Sequence, residues 1–230
     1  MLQQNDYWTK FKNIINYKLN VKFDDLDISQ DYYYYSMNLE PEATVLYLGD
    51  GIYENQIKLI LNIASQLPPC TYLYVKDHPH FVGYRNYMDY VKLMRVSNVK
   101  ILRTEIPGKQ VIKDCVGVFI VNGTAGFEAI LLNKQVYTFG HMFFNVCERV
   151  NYIKNVKDLR EVLYKNQGMI YEDNDELYKF VLAFLSSTYE GVTDFFQGRM
   201  SLYDVDHDKN IEGIAKDLSV FFNRYSYENS

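Results

Sequence analysis

Short apolar runs alternate along this chain with segments in which apolar residues recur at helical spacing. Each run has four to six residues and ends in a polar or glycine-containing turn, as buried strands do. The predicted strands are Thr44–Leu48, Thr71–Lys76, Val99–Leu102, Val116–Val121 and Gln135–Phe139. Helices are predicted over residues 5–19, 54–67, 86–95, 109–114, 124–132, 156–164, 175–187 and 210–223.

Strands that alternate with helices of this length favour a Rossmann-like α/β fold, in which a parallel sheet carries helices on both faces. We expect this core over residues 41–150. Residues 1–40 are expected to form an N-terminal helix and a polar connector that contains four consecutive tyrosines, Tyr32–Tyr35. Residues 151–230 are expected to form a C-terminal helical segment that packs on the core.

The composition narrows the classes of protein to consider. The 230 residues are 48% hydrophobic and 23% charged, as in a globular protein, and the net charge of −5 offers no basic surface for nucleic acid. Cys70, Cys115 and Cys147 fit neither a zinc motif nor a disulfide framework, which favours a reducing compartment and no metal site.

The sequence pattern predicts neither a signal peptide nor a transmembrane helix. Polar residues interrupt the first apolar positions, and no run reaches the roughly 18 apolar residues that cross a bilayer. We expect a cytoplasmic protein and leave open a peripheral association with the inner face of the membrane.

Three polar loops follow predicted strands, and in a parallel sheet such loops meet at one edge, where ligands bind. They are residues 49–51, 77–85 and 122–126. In the last of them, Asn122-Gly123-Thr124-Ala125 joins a strand to a helix. Backbone N–H groups at a helix N-terminus favour an anion such as phosphate. The alternative is that Thr124 merely caps the helix, and both can hold, because a cap uses only one N–H group.

The other candidate residues lie close to this turn in the expected fold. Pro79 forces His78 into an extended conformation, which directs the imidazole away from the strand end towards a phosphate; the alternative is a solvated turn. Arg85 could bind a second phosphate oxygen or a carboxylate, or cap the next helix. Glu128 lies in an apolar segment and needs a partner, which a ribose diol, a lysine or a backbone N–H would provide. His141 lies at the same edge without an assigned role, and His207 is expected in a solvated connector.

Three segments together resemble the capsule polysaccharide biosynthesis glycosyltransferases, the family that includes bacterial Kdo transferases. They are Pro41-Glu42-Ala43-Thr44, then Leu73–Pro79 with Gly83 and Arg85, then Asn122–Ala129 with Phe139-Gly140. The resemblance covers residues 38–150. It implies a single half of a GT-B architecture, the half that binds the nucleotide-sugar donor, with His78 and Thr124 at the donor phosphate and Glu128 at the ribose. It also implies a CMP-sugar as the favoured donor, ahead of UDP- or CDP-linked sugars, and inverting, metal-independent transfer to a glycan acceptor.

Only about 40 residues precede the donor-domain pattern, too few for an acceptor-binding domain. The general base of such enzymes usually belongs to that domain, and no residue here is a candidate for it. We therefore expect a second GT-B domain or a partner chain. Two other functions stay open: a non-catalytic sugar-nucleotide-binding or scaffold protein, and a sugar-nucleotide epimerase, which would need acid–base residues that the sequence does not show.

Overall fold

Six parallel strands form one sheet in the order β3-β2-β1-β4-β5-β6. The strands are β1 (Tyr32–Ser36), β2 (Tyr72–Lys76), β3 (Val99–Leu102), β4 (Gly117–Ile120), β5 (Gln135–Thr138) and β6 (Val150–Tyr152). The helices are α1 (Gln4–Asn20), α2 (Gln56–Ala64), α3 (Tyr87–Met94), α4 (Gly108–Asp114), α5 (Thr124–Leu131), α6 (Leu159–Lys165), α7 (Asp175–Ser186) and α8 (His207–Glu228). Short 3-10 turns occupy Pro79–Phe81, Phe143–Val146 and Val156–Asp158.

This computed structural model describes residues 4–40, 47–49, 53, 55–169, 171, 174–188 and 206–228. The predicted strand Thr44–Leu48 and the loop 49–51 lie mostly outside these residues. Where they are described, at Tyr47 and Leu48, the backbone is helical, so that end of the strand prediction is wrong. The predicted strands from residue 71 onward are confirmed, as is the Rossmann-like fold class.

The tyrosine run is the central strand of the sheet, and its interpretation as a polar connector was wrong. All four side chains are buried, with Tyr33 and Tyr35 in the core cluster that includes α2 and α3. Tyr32 and Tyr34 face the opposite side, where the Tyr32 hydroxyl donates to the Val111 carbonyl of α4 at 2.8 Å. A buried parallel strand is typically apolar on both faces, and tyrosine meets this demand when its hydroxyl has a partner.

The strand order reverses direction between β1 and β4. The chain first adds β2 and β3 on one side of β1 and then crosses to add β4, β5 and β6 on the other side. This is the strand order of doubly wound nucleotide-binding folds, in which a crevice opens where the carboxyl ends of the two middle strands diverge. The fold therefore places the candidate site at the ends of β1 and β4.

The chain forms two compact units, Met1–Leu177 and Tyr178–Ser230. The first unit contains the whole sheet together with α1 to α6. The second contains most of α7, and α8, which agree with the helices predicted over residues 175–187 and 210–223. The division of the chain at residues 40 and 150, and the packing of residues 151–230 on the core, stay predictions.

Candidate functional site

Two asparagines are hydrogen-bonded to each other at the switch point between β1 and β4. The side-chain amide of Asn38, just after β1, donates to the backbone carbonyl of Asn122 at 3.2 Å and also to the Asn122 side-chain oxygen. Gln56 in α2 fixes the backbone of Asn38: its Oε1 accepts from the Asn38 N–H at 2.7 Å, and its Nε2 donates to the Asn38 carbonyl at 3.1 Å. Sequence reasoning missed Asn38 and Gln56, because their partners lie far away in the chain.

The N-terminus of α5 lies directly beyond this pair. Gly123 is the N-cap residue, with φ of 117°, and no side chain caps the helix. The interpretation of Thr124 as the N-cap is therefore wrong: Thr124 is the first helical residue and is exposed, and Ala125 follows it half-buried. The N–H groups of this first turn have no intrahelical partners, which makes the turn suitable for an anion.

Glu128 lies one helical turn further and is half-buried. Within the described part of the chain its carboxylate makes no hydrogen bond and no ion pair at salt-bridge distance. The ammonium group of Lys76, at the end of β2, attracts it through space. Among the described residues, no close partner occupies this carboxylate, which can therefore accept a ligand.

Lys76 is a site residue that the sequence analysis did not single out. Burial lowers the pKa of its ammonium group, while the charges of Glu128, Asp77 and Glu105 oppose that effect. A half-buried lysine without a salt bridge in the described chain is a suitable partner for a phosphate. Its position at the last residue of a strand, next to Asp77-His78, was the available signal.

His78 and Pro79 form the turn that the sequence predicts. His78 is extended, with φ of −73° and ψ of 130°, and Pro79 begins the 3-10 turn. The His78 backbone N–H donates to Asp77 Oδ1 at 2.8 Å, and its Nδ1 accepts from the His80 N–H at 3.2 Å. With Nδ1 as an acceptor, a neutral ring carries its proton on Nε2.

Arg85 does not extend into the open site, which corrects its assignment as a direct phosphate ligand. It is only 2% exposed, and its guanidinium is held by two carboxylates: Nε to Asp77 Oδ2 and Nη1 to Glu40 Oε2, both at 2.8 Å. Nη2 donates to the Asn38 carbonyl at 3.2 Å. The Tyr90 hydroxyl also donates to Asp77. The bonds from Arg85 to Glu40 and Asn38 fix the loop between β2 and α3 to the segment just after β1. Sequence reasoning identified the cation without its two buried partners.

A cavity of about 710 Å³ opens beside the His78-Pro79 turn. Its wall is formed by α1, the 3-10 turn and the segment that follows β3, with Tyr17, Lys18, Phe23, Pro79, Val82 and Arg103–Glu105 as lining residues. The Arg103 guanidinium lies over the Phe23 ring at 4.7 Å. Because planar, apolar and charged groups share this wall, the cavity suits a flat heterocycle that carries hydrogen-bonding groups. No sequence motif marked it.

The other histidines that the sequence analysis named are His141 and His207. The His141 Nε2 lies 3.0 Å from the Tyr152 hydroxyl. His207 is the first residue of α8, so its expected place in a connector is wrong, and its side chain is outside the described part of the chain. Among the described residues, no group of three or more histidine, cysteine or acidic side chains is placed to hold a metal ion. No described helix is long and apolar enough to cross a membrane.

Residues 13–150 match the profile of the capsule polysaccharide biosynthesis protein family. This chain belongs to that family. The match covers more than half of the chain, includes every predicted site residue and begins upstream of β1, so the tyrosine strand lies inside the region that the family shares. No curated protein matches the sequence.

Several solved structures are similar to this chain at low sequence identity. The KpsC β-Kdo 2,7-transferase of Thermosulfurimonas dismutans is 15% identical, with a TM-score of 0.46 over 76% of this chain and 53% of that one. The UDP-GlcNAc 2-epimerase of Methanocaldococcus jannaschii, in complex with UDP-GlcNAc and UDP, is 11% identical, with a TM-score of 0.47 over 77% and 52%. The chain thus spans about half the length of these structures.

Proposed function

We propose that this chain is the nucleotide-sugar-binding half of a glycosyltransferase of capsule or surface polysaccharide biosynthesis. The observation that carries the proposal is the helix N-terminus without a side-chain cap at Gly123–Ala125, with Glu128 one turn further, at the switch point of a nucleotide-binding sheet. The family supplies the biosynthetic context.

The donor phosphate would bind at the first turn of α5. The N–H groups of that turn contribute partial positive charge, and Lys76 and His78 contribute side-chain donors from the neighbouring strand end. These groups can balance a phosphate charge without a divalent cation, which favours metal-independent transfer. Inversion at the sugar is an expectation that comes from the family resemblance alone.

The nucleoside would extend from this phosphate, with the ribose next to it and the base beyond the ribose. The Glu128 carboxylate can accept both hydroxyls of a ribose diol, which would satisfy a group that has no close partner among the described residues. The cavity lined by Tyr17, Phe23 and Arg103 would hold the base. A CMP-linked sugar is our favoured donor, and UDP- and CDP-linked sugars are the alternatives.

Transfer requires more than this chain provides at its described surface. We identify no general base for the acceptor hydroxyl among the described residues, so we propose that a second domain or partner chain supplies it and binds the glycan acceptor. The assembly would work in the cytoplasm, at the inner face of the membrane. A non-catalytic sugar-nucleotide-binding role remains the second candidate, favoured by the same lack of an identified base.

The first experiment is a titration of the full chain with CMP, CDP and UDP, and with AMP as a control. Binding is detected by thermal shift and by NMR. Binding of a pyrimidine nucleotide that is weakened by about 1–3 kcal/mol in Glu128→Gln supports the donor site, because a hydrogen bond to a charged group is removed. The exposed Thr124 allows a matched Thr124→Ala variant that tests the phosphate end without disturbing the core. If none of the three nucleotides perturbs the protein, the proposal fails.

A transfer assay then separates the two candidate functions. A donor that binds, combined with a partner chain and an acceptor glycan, should yield a glycosidic product for the enzyme half. Binding without any product, with each second domain or partner chain that is tested, would favour the non-catalytic role.

A further inference from the structure

Helix α1 has two apolar faces, and only one of them contacts other described residues of the first unit. On the inner face, Tyr17 is buried, Ile14 packs against Gly83, and the Asn13 side chain donates to the Gly83 carbonyl at 3.1 Å. Lys10 lies over the Tyr84 ring at 3.8 Å. The helix is therefore anchored to the loop that carries His78 and Pro79.

The outer face is a stripe of large apolar side chains that are exposed. Trp8 and Leu19 are 76% exposed, Phe11 is 55% exposed and Ile15 is 40% exposed. At 3.6 residues per turn these positions share one side of the helix, opposite Tyr17, and extend over roughly 16 Å. Trp8 and Phe11 contact each other edge to face.

We propose that this outer face of α1 binds the surface of an anionic lipid bilayer. Lys12 and Lys18, both exposed, lie on either side of the apolar stripe. Helix α1 carries three lysines against one aspartate, although the whole chain has a net charge of −5. An aromatic and aliphatic stripe between lysines is the pattern of helices that lie in the membrane interface, with the apolar side chains in the acyl boundary and the lysines at the lipid phosphates.

The charge and composition of the face favour lipid over a protein partner. Lysines that flank an apolar stripe stabilise binding to an anionic lipid surface by about 1 kcal/mol per residue. Tryptophan and tyrosine, which occur here as Trp8 and the 76%-exposed Tyr7, are enriched where water meets the bilayer.

The position of α1 gives this contact a consequence for the proposed site. Tyr17 and Lys18 of the same helix line the cavity beside Pro79 that we assign to the nucleoside. Binding of the outer face to lipid would hold this cavity close to the bilayer, where acceptors attached to lipid would be available. This consequence rests on the proposed function, whereas the membrane contact itself does not.

Trp8 is the only tryptophan in the chain, so its fluorescence reports on this face alone. The full chain is mixed, without nucleotide, with phosphatidylcholine vesicles that contain or lack phosphatidylglycerol. We expect a blue shift and protection of Trp8 from acrylamide with the anionic vesicles, and a much smaller response with the neutral ones. Salt should weaken binding, because the Debye length falls from about 10 Å at 0.1 M to about 3 Å at 1 M.

Two variants test the two components of the contact. Phe11→Ser should lower the partition coefficient for anionic vesicles about tenfold, because it removes an aromatic ring that the bilayer would bury. Lys12→Glu should lower it at least about tenfold through charge reversal at the lipid surface. The matched control is Val146→Ser, which removes an 83%-exposed apolar residue from the turn that follows β5 and should leave binding unchanged. All three positions are exposed, so the fold should be retained, and circular dichroism would verify this.

Three outcomes would overturn the proposal. They are an unchanged Trp8 spectrum with anionic vesicles, an equal response to neutral vesicles, and a blue shift that grows with protein concentration in the absence of lipid. The last would assign the face to a second copy of this chain. Nucleotide binding is measured separately without lipid, so failure at the membrane and failure of the donor site are distinguishable.

Discussion

The side-chain amide of Asn38 donates to the backbone carbonyl of Asn122 at 3.2 Å, across the gap between the ends of β1 and β4. The two residues are 84 positions apart in the chain, and their contact lies directly before Gly123, the N-cap residue of α5. A Cβ added at Gly123 would lie 3.6 Å from Asn38 Nδ2, an ordinary contact, so the constraint on residue 123 is its backbone conformation.

Gly123→Ala should destabilise the fold and weaken nucleotide binding together. The φ of 117° is unfavourable for any residue with a Cβ, so we expect a loss of about 1–3 kcal/mol in the free energy of unfolding. If the chain relaxes instead, the first N–H groups of α5 change direction and nucleotide affinity falls. Urea denaturation and nucleotide titration measure the two effects.

Gly168→Ala is the matched control for this prediction. Gly168 also has a positive φ, of 75°, and a Cβ there would have nothing within 4 Å. The control should therefore lose stability through backbone strain alone and keep its nucleotide affinity. An equal loss of affinity in both variants would show that strain at residue 123 acts on the fold in general, without a specific effect on the anion site.

Glu128→Gln should discriminate between ribose and deoxyribose. If the carboxylate accepts the ribose diol, the variant should bind CMP more weakly by about 1–3 kcal/mol, the range for a hydrogen bond to a charged group. Binding of 2′-deoxy-CMP, which lacks one of the two hydroxyls, should change much less. Calorimetric titration of the unmodified protein and of Glu128→Gln with each of the two nucleotides gives the four affinities of a thermodynamic cycle. Equal losses for the two nucleotides would place the ribose elsewhere.

Arg85→Met should destabilise the protein by about 3–5 kcal/mol, because it leaves the carboxylates of Asp77 and Glu40 without their buried cation. The measurement is urea denaturation at neutral pH. Lys92→Ala provides the comparison: it breaks an ion pair with Asp89 at the surface, where the lysine side chain is 53% exposed, and should cost no more than about 1 kcal/mol. A small effect of Arg85→Met would mean that the network contributes little to the fold.

The sequence predicted those elements whose signal is local and missed those whose signal depends on partners. Strands β2 to β5 are apolar runs with clear ends and were predicted to within two residues. Strand β1 was missed because four tyrosines in a polar context resemble a surface segment, and only the structure shows all four side chains to be buried. Strand β6 is three residues long, too short for a periodic pattern.

At the site, too, the features with a local signal were predicted and those that depend on distant partners were missed. The turns at His78 and Gly123 were visible as motifs, because proline and glycine restrict or permit backbone conformations locally. The role of Arg85 was misassigned, since a cation in a sequence shows its charge without showing Asp77 and Glu40 beside it. Gln56 and Asn38 could not be predicted for a related reason: their contacts join residues brought together only by the sheet.

Alkaline pH should unfold this protein through its buried tyrosines. Burial raises the pKa of Tyr17 and of Tyr33 from 10.0 to about 12. Between these values the unfolded chain has released the phenolic proton and the folded chain still holds it, so stability is complete below pH 10 and is lost as the pH rises towards 12. The free energy of unfolding should fall by about 1.4 kcal/mol per pH unit for each such tyrosine.

Urea denaturation at several pH values gives this slope. Tyr17→Phe should reduce the slope by the contribution of one tyrosine, while Tyr178→Phe, at a 63%-exposed position, should leave the slope unchanged. A slope that stays the same in Tyr17→Phe would show that the hydroxyl of Tyr17 ionises equally well in both states.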